Sequence, residues 1–268
     1  MCVACKNQAR RDPTLTVGIQ KAWTADLMRR WRTVQASTKS AFASIFDSPF
    51  QLNAFKADAG DIRQFMAAFD NAMQREVIGS GEWQAEYIDP AYQRGMRDGS
   101  SALRRAGITA AIITAAELAT RFSRPANADR VMILRSTAAS ELQGITSATS
   151  QQVGRVVRDG VAGKLPPKEI LAGISDRIEH IGKTRSKVLA KTETVRAHHK
   201  AKLQMYRDEG VTEITILAEW VTAGDDRVCP ICAPLEGTRY TLEEAEGIIP
   251  VHAGCRCSTV PIEVQNAA

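Results

Sequence analysis

Apolar residues recur every three or four positions along most of the first two-thirds of the chain. That is the repeat of a helix buried on one face. Between residues 23 and 46, Trp23, Leu27, Trp31, Val34 and Thr38 follow it, and Ser48-Pro49 breaks it. Ile62, Phe65, Phe69 and Met73 predict a second helix over 61–77, ended by Gly79-Ser80-Gly81. Asp89-Pro90 reads as an N-cap followed by proline at the first helical position, opening a helix with Tyr92, Met96 and Leu103. The Ala/Ile/Thr run 106–119 predicts a buried helix, because a bilayer span needs about 20 residues. Arg124-Pro125 marks a break before a long helix over 129–161. Pro166-Pro167 then starts a short helix over 168–181, and Gly182-Lys183-Thr184 leads into another over 185–208, closed by Gly210.

After Gly210 the character changes. Residues 214–221 are β-branched and apolar and predict a strand. Glu236-Gly237 and Thr238-Arg239-Tyr240 read as a turn and a second strand, and 258–262 supplies a third. The expected class is α+β: a mainly helical N-terminal two-thirds with a small C-terminal β-containing module in which Cys229, Cys232, His252, Cys255 and Cys257 offer a zinc staple. In chain order this gives a basic irregular arm (1–20), a helical region (21–125), a long-helix region (126–210) and a zinc-binding α+β module (211–268). An aromatic content of only 6% also favours helices over a sandwich or barrel.

Charge sharpens this picture. The net charge is +5, and residues 1–47 hold eight basic and three acidic residues, so they carry all of it. Arg10, Arg11, Lys21, Arg29, Arg30 and Arg32 are the candidate contacts to nucleic acid or to an acidic partner. The alternative is a solvated helix face. The N-terminus is polar, without the apolar run of a secretory signal. The expected environment is therefore a reducing cytoplasm, where six cysteines point to metal or free thiols rather than disulfides.

Five metal-ligating residues cluster near the C-terminus. Cys229-x-x-Cys232 is followed, nineteen residues on, by His252-x-x-Cys255-x-Cys257. A Cys-x-x-Cys turn supplies two corners of a zinc tetrahedron and the second knot supplies the others. Five candidates for four positions leave one surplus, and spacing does not choose between Cys255 and Cys257. A closed shell makes the metal structural. The alternatives are buried apolar cysteines, a disulfide, or a thioredoxin-like redox pair, which would need a βαβ context that the pattern lacks. Cys2-x-x-Cys5 has no nearby residues to complete a site.

Just upstream, Leu189, Thr192, Arg196, His199, Leu203 and Tyr206 fall on one helical stripe, with Glu193 beside it. A stripe apolar at both ends and polar in the middle either docks a polar surface or forms a partly buried network. Asp225 and Asp226 are the natural partners for Arg196 or His199. A catalytic reading would make Glu193 or His199 a general base, but no nucleophile or phosphate loop lies nearby.

Several motifs then occur in order: Ala190-Lys-Thr-Glu-Thr-Val-Arg196, Gly210-Val211, Trp220-Val-Thr-Ala-Gly-Asp-Asp-Arg-Val-Cys-Pro-Ile-Cys232, Leu235-Glu-Gly237 and His252-x-x-Cys-Arg-Cys257. This series, over about 166–261, resembles the phage head morphogenesis family, the minor head proteins of tailed phages. Residues 83–105, with Tyr92-x-x-Gly95, look like the helical region upstream in such proteins. The resemblance implies a structural, non-enzymatic virion component inside the head near the portal, assembled in the host cytoplasm. It implies roles in head assembly, genome packaging or DNA delivery, with the portal protein as partner. Major capsid or scaffold protein and packaged DNA are further partners, and no membrane is. It carries over the five metal residues, and Thr192, Glu193 and Arg196 as a motif of unknown chemistry. Some relatives carry a further toxin or transferase domain, and none is expected before Ala268.

Two other functions compete. One is a zinc-stabilised nuclease, in which His252 with Asp225 or Asp226 holds a second, catalytic metal. The other is a zinc-ribbon DNA-binding protein. Against the latter, acids outnumber Lys and Arg from residue 210 to 268.

Overall fold

Two of the helices begin at a side-chain cap, Asp58 before Ala59 and Thr114 before Ala115. The computed structural model describes residues 13–46, 57–108, 112–209 and 215–264. Six α-helices and a three-stranded sheet occur among them: α1 (Val17–Phe46), α2 (Ala59–Met73), α3 (Ala85–Arg105), α4 (Ala115–Phe122), α5 (Pro125–Ala162), α6 (Pro167–Glu209), β1 (Thr215–Val221), β2 (Arg239–Tyr240) and β3 (Ser258–Val264). The α+β class expected from the sequence is therefore what the chain forms.

Spatial proximity groups the chain into two units. One takes in 22–83 and 136–187; the other takes in 1–21, 84–135 and 188–268. In the first unit α1 buries Trp23, Leu27, Trp31, Val34 and Thr38, the stripe read from the sequence, and continues it with Phe42 and Phe46. Asp58 and Asp61 form a capping box at the start of α2, which ends in a single π-helical turn, Gln74–Ile78. Phe65 meets the edge of Phe42 at 5.7 Å. Gly182 does not separate two helices, because α6 is continuous through it. A Cβ there would lie 2.8 Å from Cγ of Trp31, so this glycine serves close packing.

In the second unit, α3 packs against the C-terminal half of α6, and the sheet has the order β2-β1-β3, all antiparallel. Asp89-Pro90 does not open α3. The helix starts four residues earlier, Pro90 sits inside it, and the Asp89 carboxylate accepts from Arg135 Nε at 2.8 Å. At that position proline removes a single helical hydrogen bond, and the helix tolerates it. The run 106–119 is not one buried helix. Gly107 (φ +85°) ends the turn after α3, and α4 begins only after the Thr114 cap and buries Leu118 alone. Within the segment read as an irregular arm, Thr14 and Thr16 are buried and hydrogen-bonded to each other at 2.7 Å. Among the described residues no helix is long and apolar enough to cross a membrane.

Candidate metal centre

Two tight turns in the second unit bring the sulfur and imidazole groups together. In the first, the amides of Cys232 and Ala233 both donate to the Cys229 carbonyl at 3.0 Å, which folds the two thiols to one side. In the second, Cys255 N donates to the His252 carbonyl at 3.1 Å, and Gly254 takes φ +75°. The chain then enters β3 directly after Cys257.

The His252 ring is oriented by Nδ1, which donates to the Ala253 carbonyl at 3.0 Å and leaves the Nε2 lone pair free to bind a metal. Nε2 lies 3.1 Å from both Cys229 Sγ and Cys232 Sγ. Cys232 Sγ lies 4.0 Å from Cys255 Sγ. Two thiolates on one zinc, each at ~2.3 Å, would be about 3.8 Å apart. The ligand atoms of Cys229, Cys232 and His252 all fall within 4.8 Å of one another, and so do those of Cys232, Cys255 and Cys257. The five residues thus form two triads sharing Cys232, the outer one half-buried and the inner one buried.

Four thiols this close cannot all ionise without a counter-charge. The hydrogen bond from Cys257, first among its causes, holds the Cys255 thiol down to about 5, whereas burial pushes Cys232 up to about 12. A divalent cation would settle this mixed set as thiolates. Sulfur and nitrogen donors at these separations fit zinc.

The knot rests on its supports. Val195 and Trp220 pack in one apolar cluster with Cys232, Ile249, Cys255 and Cys257. Thr192 on α6 accepts from Gly254 N at 2.9 Å and donates to the Val188 carbonyl at 2.8 Å, tying the second turn to the helix.

The rest of the polar stripe has partners other than the expected ones. Arg196 pairs with Glu193 at 3.1 Å, one turn back on its own helix, and does not reach the Asp225/Asp226 turn. Arg256 and Arg227 hold Asp225, and their hydrogen bonds keep its carboxyl well below the usual range. Arg256 lies between the two knot cysteines, so it reaches Asp225 first. His199 is buried, with Nε2 3.0 Å from the Ala245 carbonyl; burial pushes it down to about 3, so it is neutral.

A charged cluster that the sequence did not announce lies beneath. Asp98 on α3 is buried, 2.7 Å from Lys202 and 3.4 Å from His198 on α6. Lys202 also donates to Ser258 on β3 at 3.2 Å. Burial alone would raise the Asp98 carboxyl, but Lys202 and His198 hold it well below the usual range. Gly95 and Gly99 permit this approach, since a Cβ at Gly95 would lie 2.2 Å from the His198 carbonyl oxygen and one at Gly99 2.8 Å from Met205 Cβ. The signal was two glycines four apart on one helix face, around a lone acid.

Of the N-terminal basic candidates, Arg10 and Arg11 lie outside the described residues, as do Cys2 and Cys5. Arg29 and Arg30 both pair with Asp26, and Arg30 stacks 4.0 Å over the Trp83 ring while donating to the Glu76 carbonyl. Arg32 donates to the Met28 carbonyl and stays exposed, as does Lys21.

Residues 151–260 match the family described as phage Mu protein F-like protein. That segment runs from within α5 to within β3 and contains all five candidate ligands. The match supports the phage head morphogenesis family indicated by the sequence motifs. No curated protein and no solved structure matches the chain.

Proposed function

We propose, from the phage Mu protein F-like identity of residues 151–260, that the protein is a structural minor component of a phage head. In this reading it sits inside the head at the portal and acts in head assembly, genome packaging or DNA delivery. The portal protein is its first partner, and major capsid or scaffold protein is a further one. The N-terminal basic residues, Arg10, Arg11, Lys21, Arg29, Arg30 and Arg32, meet packaged DNA or an acidic partner.

One observation carries the structural reading. The matched segment is built around a cysteine–histidine knot, buried on its inner side, anchored to α6 through Thr192 and Val195 and packed against Trp220 of β1. The groups that an enzyme would draw on are committed elsewhere: His199 is buried against Ala245, Glu193 pairs with Arg196, and Asp225 is held by two arginines. Cys229, Cys232 and His252, with Cys255 or Cys257 as the fourth ligand, hold a structural zinc ion that closes residues 211–268 into a module. Zinc supplies a tetrahedral cross-link there, and the chain's own residues orient the ligands.

A mass-spectrometric inventory of purified virions and of empty heads tests the proposal. The protein is expected in both, at a few copies per particle, enriched with the portal when heads are disrupted. Its absence from both particles would remove the reading.

A further inference from the structure

The outward face of α3 carries a row of arginines that nothing in the fold employs. Arg94, Arg97 and Arg104 are exposed, lie on one helical stripe with the half-buried Ser101 between them, and make no ion pair or side-chain hydrogen bond among the described residues. Arg105, beside them, leans on Asp98 at 3.5 Å. Most other arginines in this unit are engaged: Arg121 with Glu117, Arg135 with Asp89, Arg196 with Glu193, Arg207 with Glu246, Arg239 with Glu219, Arg256 with Asp225. The acid closest to the row in sequence, Asp98, is buried and already neutralised by Lys202. The dipole at the C-terminal end of the helix accounts for Arg104 and Arg105. It gives nothing to Arg94 and Arg97, which are two to three turns further in.

We infer that this arginine row is a docking surface for the phosphate backbone of nucleic acid. The helix opposes its buried face to α6 through Gly95 and Gly99, so the row is displayed on a rigid element. From Arg94 to Arg104 the helix rises about 15 Å. Laid parallel to a duplex axis, that spans about four phosphates of one strand at ~3.4 Å of axial rise per step. Guanidinium groups suit phosphate because they donate in a planar fork. An acidic protein partner fits less well. Protein interfaces are anchored by apolar or aromatic side chains at their centre, and this stripe offers Gln93 and Ser101 in their place. The inference goes beyond the head-protein reading, which assigns DNA contact to the N-terminal residues, and it is independent of the metal centre.

The test is binding of the full chain to a random-sequence 30-base-pair duplex across 50–200 mM salt. The variants are R94Q/R97Q/R104Q and a charge-matched control, R155Q/R158Q/R185Q, which neutralises exposed arginines on α5 and α6. Each phosphate contact contributes about 0.9 to the slope of log affinity against log salt, so losing three flattens it by about 2.7. Between 50 and 200 mM salt the wild type then loses about 40-fold more affinity than the α3 variant. The control keeps the wild-type slope, and R94K/R97K/R104K keeps most of it. Equal loss in both glutamine variants would show a net-charge effect and overturn the inference. So would an unchanged slope in R94Q/R97Q/R104Q, or competition by polyglutamate as strong as by DNA. Failure on any of these counts leaves the virion inventory unaffected, so the two readings fail separately.

Discussion

At the scale of single residues, the buried Asp98–Lys202 pair sets a sharp expectation. Removing one member of a buried ion pair strands the other, at a cost of about 3–5 kcal/mol, whereas replacing both with apolar groups of similar size can be nearly neutral. Lys202→Met should therefore lower stability in urea by that amount, and Asp98→Leu combined with Lys202→Met should recover much of it. An additive double variant would show that the two side chains do not act as a pair. His199 gives a pH-dependent counterpart. Its folded pKa is pushed down to about 3, below the ordinary value of about 6.5 for an unfolded histidine. Between those values the unfolded chain binds a proton that the folded chain refuses. The His199 contribution is thus fully present above pH 6.5 and is lost as pH falls toward 3, with a slope of about 1.4 kcal/mol per pH unit. Denaturation curves at pH 7, 6 and 5 should show His199→Gln with a flatter decline than the wild type. The five metal candidates were legible because spacing and residue type point to one chemistry. Asp98 was not, because a lone acid shows nothing of the lysine that follows it 104 residues later.

At the scale of elements, the apolar repeat and the β-branched runs placed most of the helices and all three strands, and the errors fall at proline and glycine. In the sequence Asp89-Pro90 and Gly182 read as breaks that the helices do not make, and the run 106–119 reads through Gly107, where the chain does turn. Pro90 costs α3 one hydrogen bond and is carried, while Gly182 belongs to the middle of a 43-residue helix. Local chemistry does not reveal whether a glycine ends a helix or admits a neighbour; the Trp31 ring decides at this one. That makes Gly182→Ala informative, because two effects oppose each other. Helix propensity alone would make alanine more stable by about 1 kcal/mol. A Cβ 2.8 Å from Cγ of Trp31 and 3.1 Å from its Cβ forces a rigid ring to move, and overpacking of this kind costs about 1–3 kcal/mol. We expect a net loss, read as a lower melting temperature. A rise would mean that the Trp31 ring yields easily.

At the scale of the whole molecule, a zinc ion in the knot would hold the C-terminal module together. Its described large apolar side chains are few, chiefly Ile216, Trp220, Tyr240, Leu242, Ile248 and Ile249, and small cores seldom hold without a staple. Metal binding free energy then becomes folding free energy, on the order of 10 kcal/mol in small zinc-binding peptides. Elemental analysis should return one zinc per chain. Treatment with a strong chelator under reducing conditions should open residues 211–268 to protease while α1 and α2 stay protected. A metal-free chain that resists cleavage equally at both ends would count against the zinc staple. The composition of this module could be read from the sequence, but its neighbours could not. Residues 84–135 lie between segments of the other unit along the chain and still join 188–268 in space, and no shift in composition marks such an exchange.

The placing of β3 has a consequence for the newborn chain. The sheet needs β1 and β3 side by side, with Val221 opposite Ser258 and Thr215 opposite Val264. Every segment of the first unit has left the peptidyl-transferase centre once residue 187 is made, while the second unit lacks its outer strand until residue 264. At ~5–20 residues per second, the intervening 77 residues take about 4–15 s. For that interval β1 and the first cysteine pair exist without the strand and the histidine–cysteine turn that complete them. The first unit can therefore fold on the ribosome, and the second closes only after residue 264 has been made.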